Sequence, residues 1–363
     1  MYKKHHILSI LLLSFIALVT SCDPTIHEYP HPVKSHVFIR PHIDRTPPLL
    51  YKEVVYDEKW RRSVNLLEPL PAAPYLSNEG HSVRLILDIY KCSSLRTTAS
   101  MRHEKLVERK VVELKNDAHS YQEDLRADLY DGNYCVLAWA DYTRRGNLKN
   151  TYYNANTLLK ILSIIPQYPS DIHLRDAATG QQSFTLDFNL GPEHYPVLPG
   201  IGLQSSRVIP VMLSRPMARY KIIASDYKAF IEDGGKLEGG TVKVVYKQYI
   251  SVGYDVSTQE PNEFISTYTF STDILQEKTN KEGEILLIGD YLFTSFDKED
   301  TVIADFFFFD SNGLEINRCS NIEIPLKRNH ETIVKALFLT KKIDNGGQVS
   351  IDENFEGEHV VEV

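Results

Sequence analysis

Cysteine is scarce. The 363-residue chain has four, Cys22, Cys92, Cys135 and Cys319, and no two of them share C-x-x-C or zinc-type spacing. That spacing excludes a densely disulfide-stapled scaffold and a cysteine-built zinc site. Tryptophan is scarcer, with only Trp60 and Trp139, so a sugar-binding surface of tryptophan platforms has little to draw on. Positive charge is not in excess: the formal net charge is −8, and no basic stripe runs along the chain to neutralise phosphates, which argues against a nucleic-acid partner. Beyond the N-terminus no apolar run is long enough to cross a bilayer as a helix. Catalytic signatures are missing too. There is no G-x-S-x-G and no phosphate-loop spacing, and His330-Glu331 lacks the second histidine of a zinc-protease helix. The expectation is a non-enzymatic chain with no cofactor and no metal.

The N-terminus carries the most information. Lys3 and Lys4 precede an apolar stretch from Ile7 to Val19, and the small residues Thr20 and Ser21 lead to Cys22. This is the pattern of a lipobox, in which the thiol of Cys22 is acylated and residues 1–21 are removed as a signal peptide. Several acyl chains, each contributing about 0.8 kcal/mol per buried methylene, hold a protein on a membrane. Residues 22–50 are rich in proline and histidine and read as a lipidated tether, interrupted by an edge strand at His36-Val37-Phe38-Ile39-Arg40.

Strand patterns follow. In 83–90 the residues Val83, Leu85, Leu87 and Ile89 alternate with a second set and define one face. Residues 134–140 are apolar on both faces and belong at the centre of a sheet. Asn156 to Ile165 has helical spacing of leucines behind an asparagine cap and reads as a short helix. A proline- and glycine-rich stretch at 190–202 is the expected domain link, and strand patterns resume at 219–223, 241–246, 305–309, 323–326 and 332–339. The expected fold is all-β: two transthyretin-like Greek-key β-sandwich domains in series, 51–200 and 201–363, with one or two short helices.

Minor candidates carry less. Cys92 and Cys135 stand in one half of the chain, where an oxidising envelope would allow a bridge or leave them free. His27, His31, His36 and His42 are irregularly spaced for a metal site. A calcium-loop start at Asp352 meets Val363 where a bidentate glutamate is needed.

Four stretches together bear a family likeness: Leu129 to Trp139, Leu213 to Ile222, Ile324 to Val334, and Ile351 to Glu358. In order and spacing the chain resembles the fimbrillin-related lipoproteins of Bacteroidales type V pili, of the anchor or minor-subunit branch. The resemblance implies an outer-membrane lipoprotein, surface-exposed as part of the fimbrium, that contributes to pilus assembly and cell adhesion. Its implied partners are other fimbrial subunits, the outer membrane through the lipid on Cys22, and a host or bacterial surface ligand. Shaft subunits of that family lose an N-terminal strand by cleavage after an arginine, whereas anchors keep the lipid. Pro41 blocks cleavage after Arg40, while the Arg45-Thr46 bond is open to it. Val37, Phe38 and Ile39 at one end and Val360, Val361 and Val363 at the other are the candidate subunit-contact strands, since strand addition uses an unpaired edge and a groove for alternate side chains. The alternative is a surface glycan-binding lipoprotein of a polysaccharide-uptake system.

Overall fold

The computed structural model describes residues 34–72, 80–92, 103–114, 124–164, 168–169, 173–187, 208–274, 279–280, 282–296 and 298–341. Along the chain the strands are β1 (Ser35–Ile43), β2 (Leu49–Tyr56), β3 (Arg62–Leu66), β4 (His81–Cys92), β5 (His103–Leu114), β6 (Leu125–Leu129), β7 (Gly132–Arg144), β8 (Tyr153–Asn154), β9 (Ile161–Ser163), β10 (Tyr168–Pro169), β11 (Ala177–Leu186), β12 (Val208–Leu213) and β13 (Met217–Ala224). A short helix α1 (Tyr227–Glu232) precedes β14 (Thr241–Tyr246), β15 (Ile250–Asp255), β16 (Glu260–Ile265), β17 (Thr269–Asp273), β18 (Ile285–Phe293), β19 (Asp300–Phe309), β20 (Glu315–Leu326) and β21 (His330–Ala336). The fold is an all-β sandwich architecture, and α1 is its one α-helix among the described residues.

Alternation of side chains decides which face each strand buries. In β14, Val242, Val244 and Tyr246 are fully buried while Lys243 points out, and in β19 Ala304, Phe306 and Phe308 do the same. Asn312-Gly313 turns β19 into β20, with Gly313 at φ 78°, a left-handed backbone that glycine adopts without a Cβ clash.

Two sandwiches result. In the first, the sheet β12-β1-β6 faces the sheet β11-β7-β4-β5 across a core that includes Val37, Ile39, Leu87 and Val136. In the second, β10-β17-β14-β19-β20 faces β18-β13-β21-β2-β3 across a core containing Val54, Tyr220, Phe306 and Val334. A small sheet, β16-β15-β9-β8, helps to close a third core in which the outer face of β4 and β7 meets Met217, Tyr254 and Phe293.

The topology corrects several expectations. The sheets do not divide at residues 51–200 and 201–363. β2, with β3 beyond it, joins the second sandwich by parallel pairing to β21, and β12 returns to the first by parallel pairing to β1. The strand expected at 36–40 forms, but as the nine-residue β1, and it is central rather than an edge. Proline is tolerated inside it because pairing with β6 ends at Ile39, so Pro41 needs no N–H on that side. In β4 both faces are buried: Ile86 and Tyr90 enter the third core, and Arg84 and Asp88 are covered as well.

No helix forms over the described part of Asn156–Ile165. Instead the Asn154 carboxamide accepts the Asn156 N–H and Thr157 Oγ1 accepts the Leu159 N–H, local bonds that compete with a helix, and Leu158 and Ile161 still reach the core. Cys92, Cys135 and Cys319 are all buried. In the β4–β7 register Cys92 faces Asn133 and Cys135 faces Tyr90, so the two thiols are offset rather than opposed. Burial pushes the Cys135 thiol up to about 11.

The first sandwich is closed along one side where β11 meets β12. Thr179 and Ser214 exchange two backbone hydrogen bonds, each 2.9 Å, and a Cβ on Gly180 would lie 2.1 Å from the Met212 carbonyl oxygen. Gly180→Ala is therefore expected to lower stability by about 1–3 kcal/mol, since backbone and not a movable side chain is in the way. Urea unfolding with an unchanged midpoint would contradict the close approach.

Candidate functional site

The N-terminal strand and the segment that follows it form the candidate site. Inward, Val37, Ile39 and Ile43 are almost wholly buried in the first core. Outward, His36, Phe38, Arg40 and His42 alternate with them and lie beside β6, whose register places His36 opposite Asp128 and Phe38 opposite Arg126. A ladder of charges crosses this pair. Arg40 donates to both oxygens of Asp124, at 2.6 and 2.8 Å, and His36 Nδ1 lies 2.6 Å from Asp128 Oδ1, which Arg126 also approaches at 3.0 Å. Arg126 and His36 hold the Asp128 carboxyl below the usual range, while burial, helped by the Arg40 charge, pushes His42 down. His36 and His42, expected in a spacer, are thus strand residues, the first engaged with β6 and the second half-buried. His27 and His31 lie outside the described residues.

Past β1 the chain is gripped. The Arg45 guanidinium donates to the Tyr142 hydroxyl at 2.6 Å and stacks 5.3 Å from its ring centroid. Asp44 Oδ1 accepts from both the N–H and the hydroxyl of Thr46, at 2.9 and 2.8 Å. The Thr46 carbonyl accepts from Arg215 at 3.0 Å. Buried Arg215 also makes a bidentate pair with Asp176, at 2.6 and 2.7 Å, and donates to Asn329 in the turn between β20 and β21. One side chain therefore ties the β1–β2 linker, the start of β11 and the β20–β21 turn together. Sequence reasoning passed over Arg215, whose only signal was an arginine between Ser214 and Pro216 at a strand boundary. A second buried pair reinforces the junction: Arg175 donates to Asp290 at 2.7 Å, near the Tyr220 and Tyr246 hydroxyls, which lie 2.7 Å apart. Burial pushes the Asp290 carboxyl up to about 6, with Arg175 opposing the shift.

Behind Arg45 lies a cavity of about 20 Å³, room for a water and no more. An open groove of about 590 Å³ runs along the outer face of β4 and β5, yet none of its lining residues is aromatic, and its Arg84 and Asn150 are already bonded to each other. Trp139 is fully buried and Trp60 packs against the second core, so neither tryptophan offers an open stacking face. Cys22, Val360, Val361 and Val363 lie outside the described residues. Of the expected site residues, the structure brings together Val37, Phe38, Ile39 and Arg45.

Residues 49–363 match the model of a family of unknown function, DUF6562. The chain belongs to this family. Its matched region opens at β2, so β1 precedes it. Among solved structures, the chain is similar to an adhesin candidate from Bacteroides ovatus, with 12% identity and a TM-score of 0.41, covering 83% of this chain and 89% of that one. It is also similar to a fimbrial assembly protein from Parabacteroides distasonis, at 13% identity and a TM-score of 0.36 over 83% and 92% of the two chains. A third is the fimbrial anchor protein Mfa2 from Porphyromonas gingivalis, at 11% identity and a TM-score of 0.34 over 78% and 82%. No curated protein matches the chain.

Proposed function

We propose that the protein is a lipid-anchored fimbrial protein of the outer membrane, the anchor or a minor subunit of a pilus, which contributes to assembly and through the pilus to adhesion. The observation that carries the reading is the seat of β1. The strand that directly follows the N-terminal tether is threaded between β6 and β12 at the centre of a sheet, and its far end is gripped at Arg45 and Thr46. A protein that must hold an appendage on a cell needs its lipid-bearing segment built into the fold, and this arrangement supplies that. The lipobox ending at Cys22 and the four resembling stretches support the same reading. In this form Arg45 is held, β1 is retained, and Val360, Val361 and Val363 remain the candidate strand for contact with other subunits.

Intact mass of the protein from the membrane fraction tests this. The expected N-terminus is acylated Cys22, and a chain beginning at Thr46 would overturn the retained-strand form. Cys22→Ala is expected to abolish recovery in the outer-membrane fraction, because among the described residues no helix is long and apolar enough to cross a membrane. Recovery of the variant there, normally processed, would overturn the lipid attachment. Pilus subunits are expected to co-purify with the wild-type protein.

A further inference from the structure

Outer strands of a sheet expose unpaired backbone, and proteins defend them with charge, proline, bulges or brevity. Several outer strands here are defended. β5 carries Lys105, Glu108, Arg109 and Lys110, and β8 and β10 are two residues long. β16 holds Pro261 and a left-handed Glu263 at φ 52°, and β20 has a left-handed Asn321 at φ 59°. β3 has none of these devices apart from the charge of Arg62. It reads Arg62-Ser63-Val64-Asn65-Leu66, has all five residues exposed, and among the described residues pairs with β2 alone.

Its open side can be read from the hairpin. The Asp57 N–H donates to the Arg61 carbonyl at 3.1 Å and the Leu67 N–H to the Tyr51 carbonyl at 2.9 Å, so the odd-numbered residues of β3 turn their backbone groups toward β2. The N–H and C=O of Arg62, Val64 and Leu66 therefore point away from it. Val64 stands opposite Val54, which is fully buried in the second core, so the core-facing side of the sheet continues onto β3, where none of the described residues covers it. Val64 is 39% exposed, Leu66 76% and nearby Leu70 57%, an apolar rim beside unpaired backbone.

We infer that β3 pairs antiparallel with β3 of a second copy of this chain, joining the two five-stranded sheets about a two-fold axis. The sequence of the strand is complementary to itself. Centred on Val64, the pair sets Val64 against Val64, Ser63 against Asn65, and the Arg62 stem against Leu66, with no like charges opposed. Arg62 is the only charge in β3, and Glu323 of its own chain lies 3.4 Å away. An interface with the same patch on both sides closes as a dimer. A five-residue strand contributes less than the roughly 800 Å² per partner of a stable dimer, so the pair forms where copies are concentrated, as on one membrane. The inference does not depend on a fimbrial role.

The test is disulfide capture with the full chain at high concentration, alongside the wild type. Val64→Cys is expected to form a covalent dimer. Ser63→Cys and Asn65→Cys are each expected to stay largely monomeric, and their mixture to cross-link several-fold more than either alone, since opposed non-hydrogen-bonded residues lie within disulfide reach. Adding Leu66→Lys to Val64→Cys sets like charges opposite and is expected to remove the dimer. The proposal is overturned if Val64→Cys stays monomeric while melting like the wild type. It is overturned too if Ser63→Cys alone cross-links as well as the mixture, or if capture needs removal of 342–363, which would put the chain's own C-terminal segment on this edge.

Discussion

Arg215→Ala is expected to cost about 3–5 kcal/mol, the usual penalty for removing one partner of a buried ion pair. The side chain is 4% exposed and its counter-ion Asp176 13%, so water replaces little of what is lost. Asp176 would keep a charge with no bidentate donor, and the Thr46 carbonyl and the Asn329 side chain would each lose a donor. Arg215→Lys keeps the charge without the planar fork and is expected to fall between the two. Urea unfolding measures the effect. Limited trypsin digestion adds a readout specific to the linker: cleavage between Arg45 and Thr46 should become faster in the alanine variant. An unchanged midpoint together with unchanged cleavage would show that the knot does not hold the linker.

Trp139→Ala should be comparably severe, about 3–5 kcal/mol, through loss of buried area and the cavity left behind. Trp139 is fully buried in the third core, 5.3 Å from the Tyr153 ring and 6.4 Å from those of Tyr254 and Phe293. Those neighbours come from β8, from β15 and from β18, so they cannot collapse inward as one unit. Trp139→Phe, which keeps part of the volume, should lose less. Intrinsic fluorescence gives an independent check, because removing Trp139 leaves only the half-buried Trp60 as a tryptophan signal. If the alanine variant unfolds at the wild-type midpoint, the third core contributes little to stability.

Strands whose own residues declare their burial were legible in the sequence. Apolar on both faces, 134–140 is central, and Val242, Val244 and Tyr246 face the second core. Pairing was not legible, because it depends on residues far apart in the chain. Nothing local to His36–Arg40 says that β6 and β12 will flank it, and nothing at Leu49–Tyr56 says that its partner is β21. The burial of the second face of β4 was not legible in its alternation either. Arg84 and Asp88 look like solvent-facing residues, yet Arg84 donates to both oxygens of Asp141, at 2.8 and 2.6 Å, beneath the segment after β7. Around Asn156 the leucine spacing was real but was spent on a turn, because asparagine and threonine side chains bonded the backbone first. The strand pattern at 36–40 is visible in the sequence, whereas the contacts of Arg215 come only from the three segments that converge on it.

The route of the backbone through β1 bears on how the molecule takes tension. A pull on the N-terminal segment enters at Ser35, runs along nine residues already close to their full reach of about 30 Å, and passes through the short linker into β2, inside the second sheet between β21 and β3. The first sandwich is wrapped around this path instead of being strung along it. Were its other strands to come apart, the distance between Ser35 and the second sandwich would gain almost no slack, so tension applied at Ser35 is relayed to the second sandwich as a taut cord would relay it.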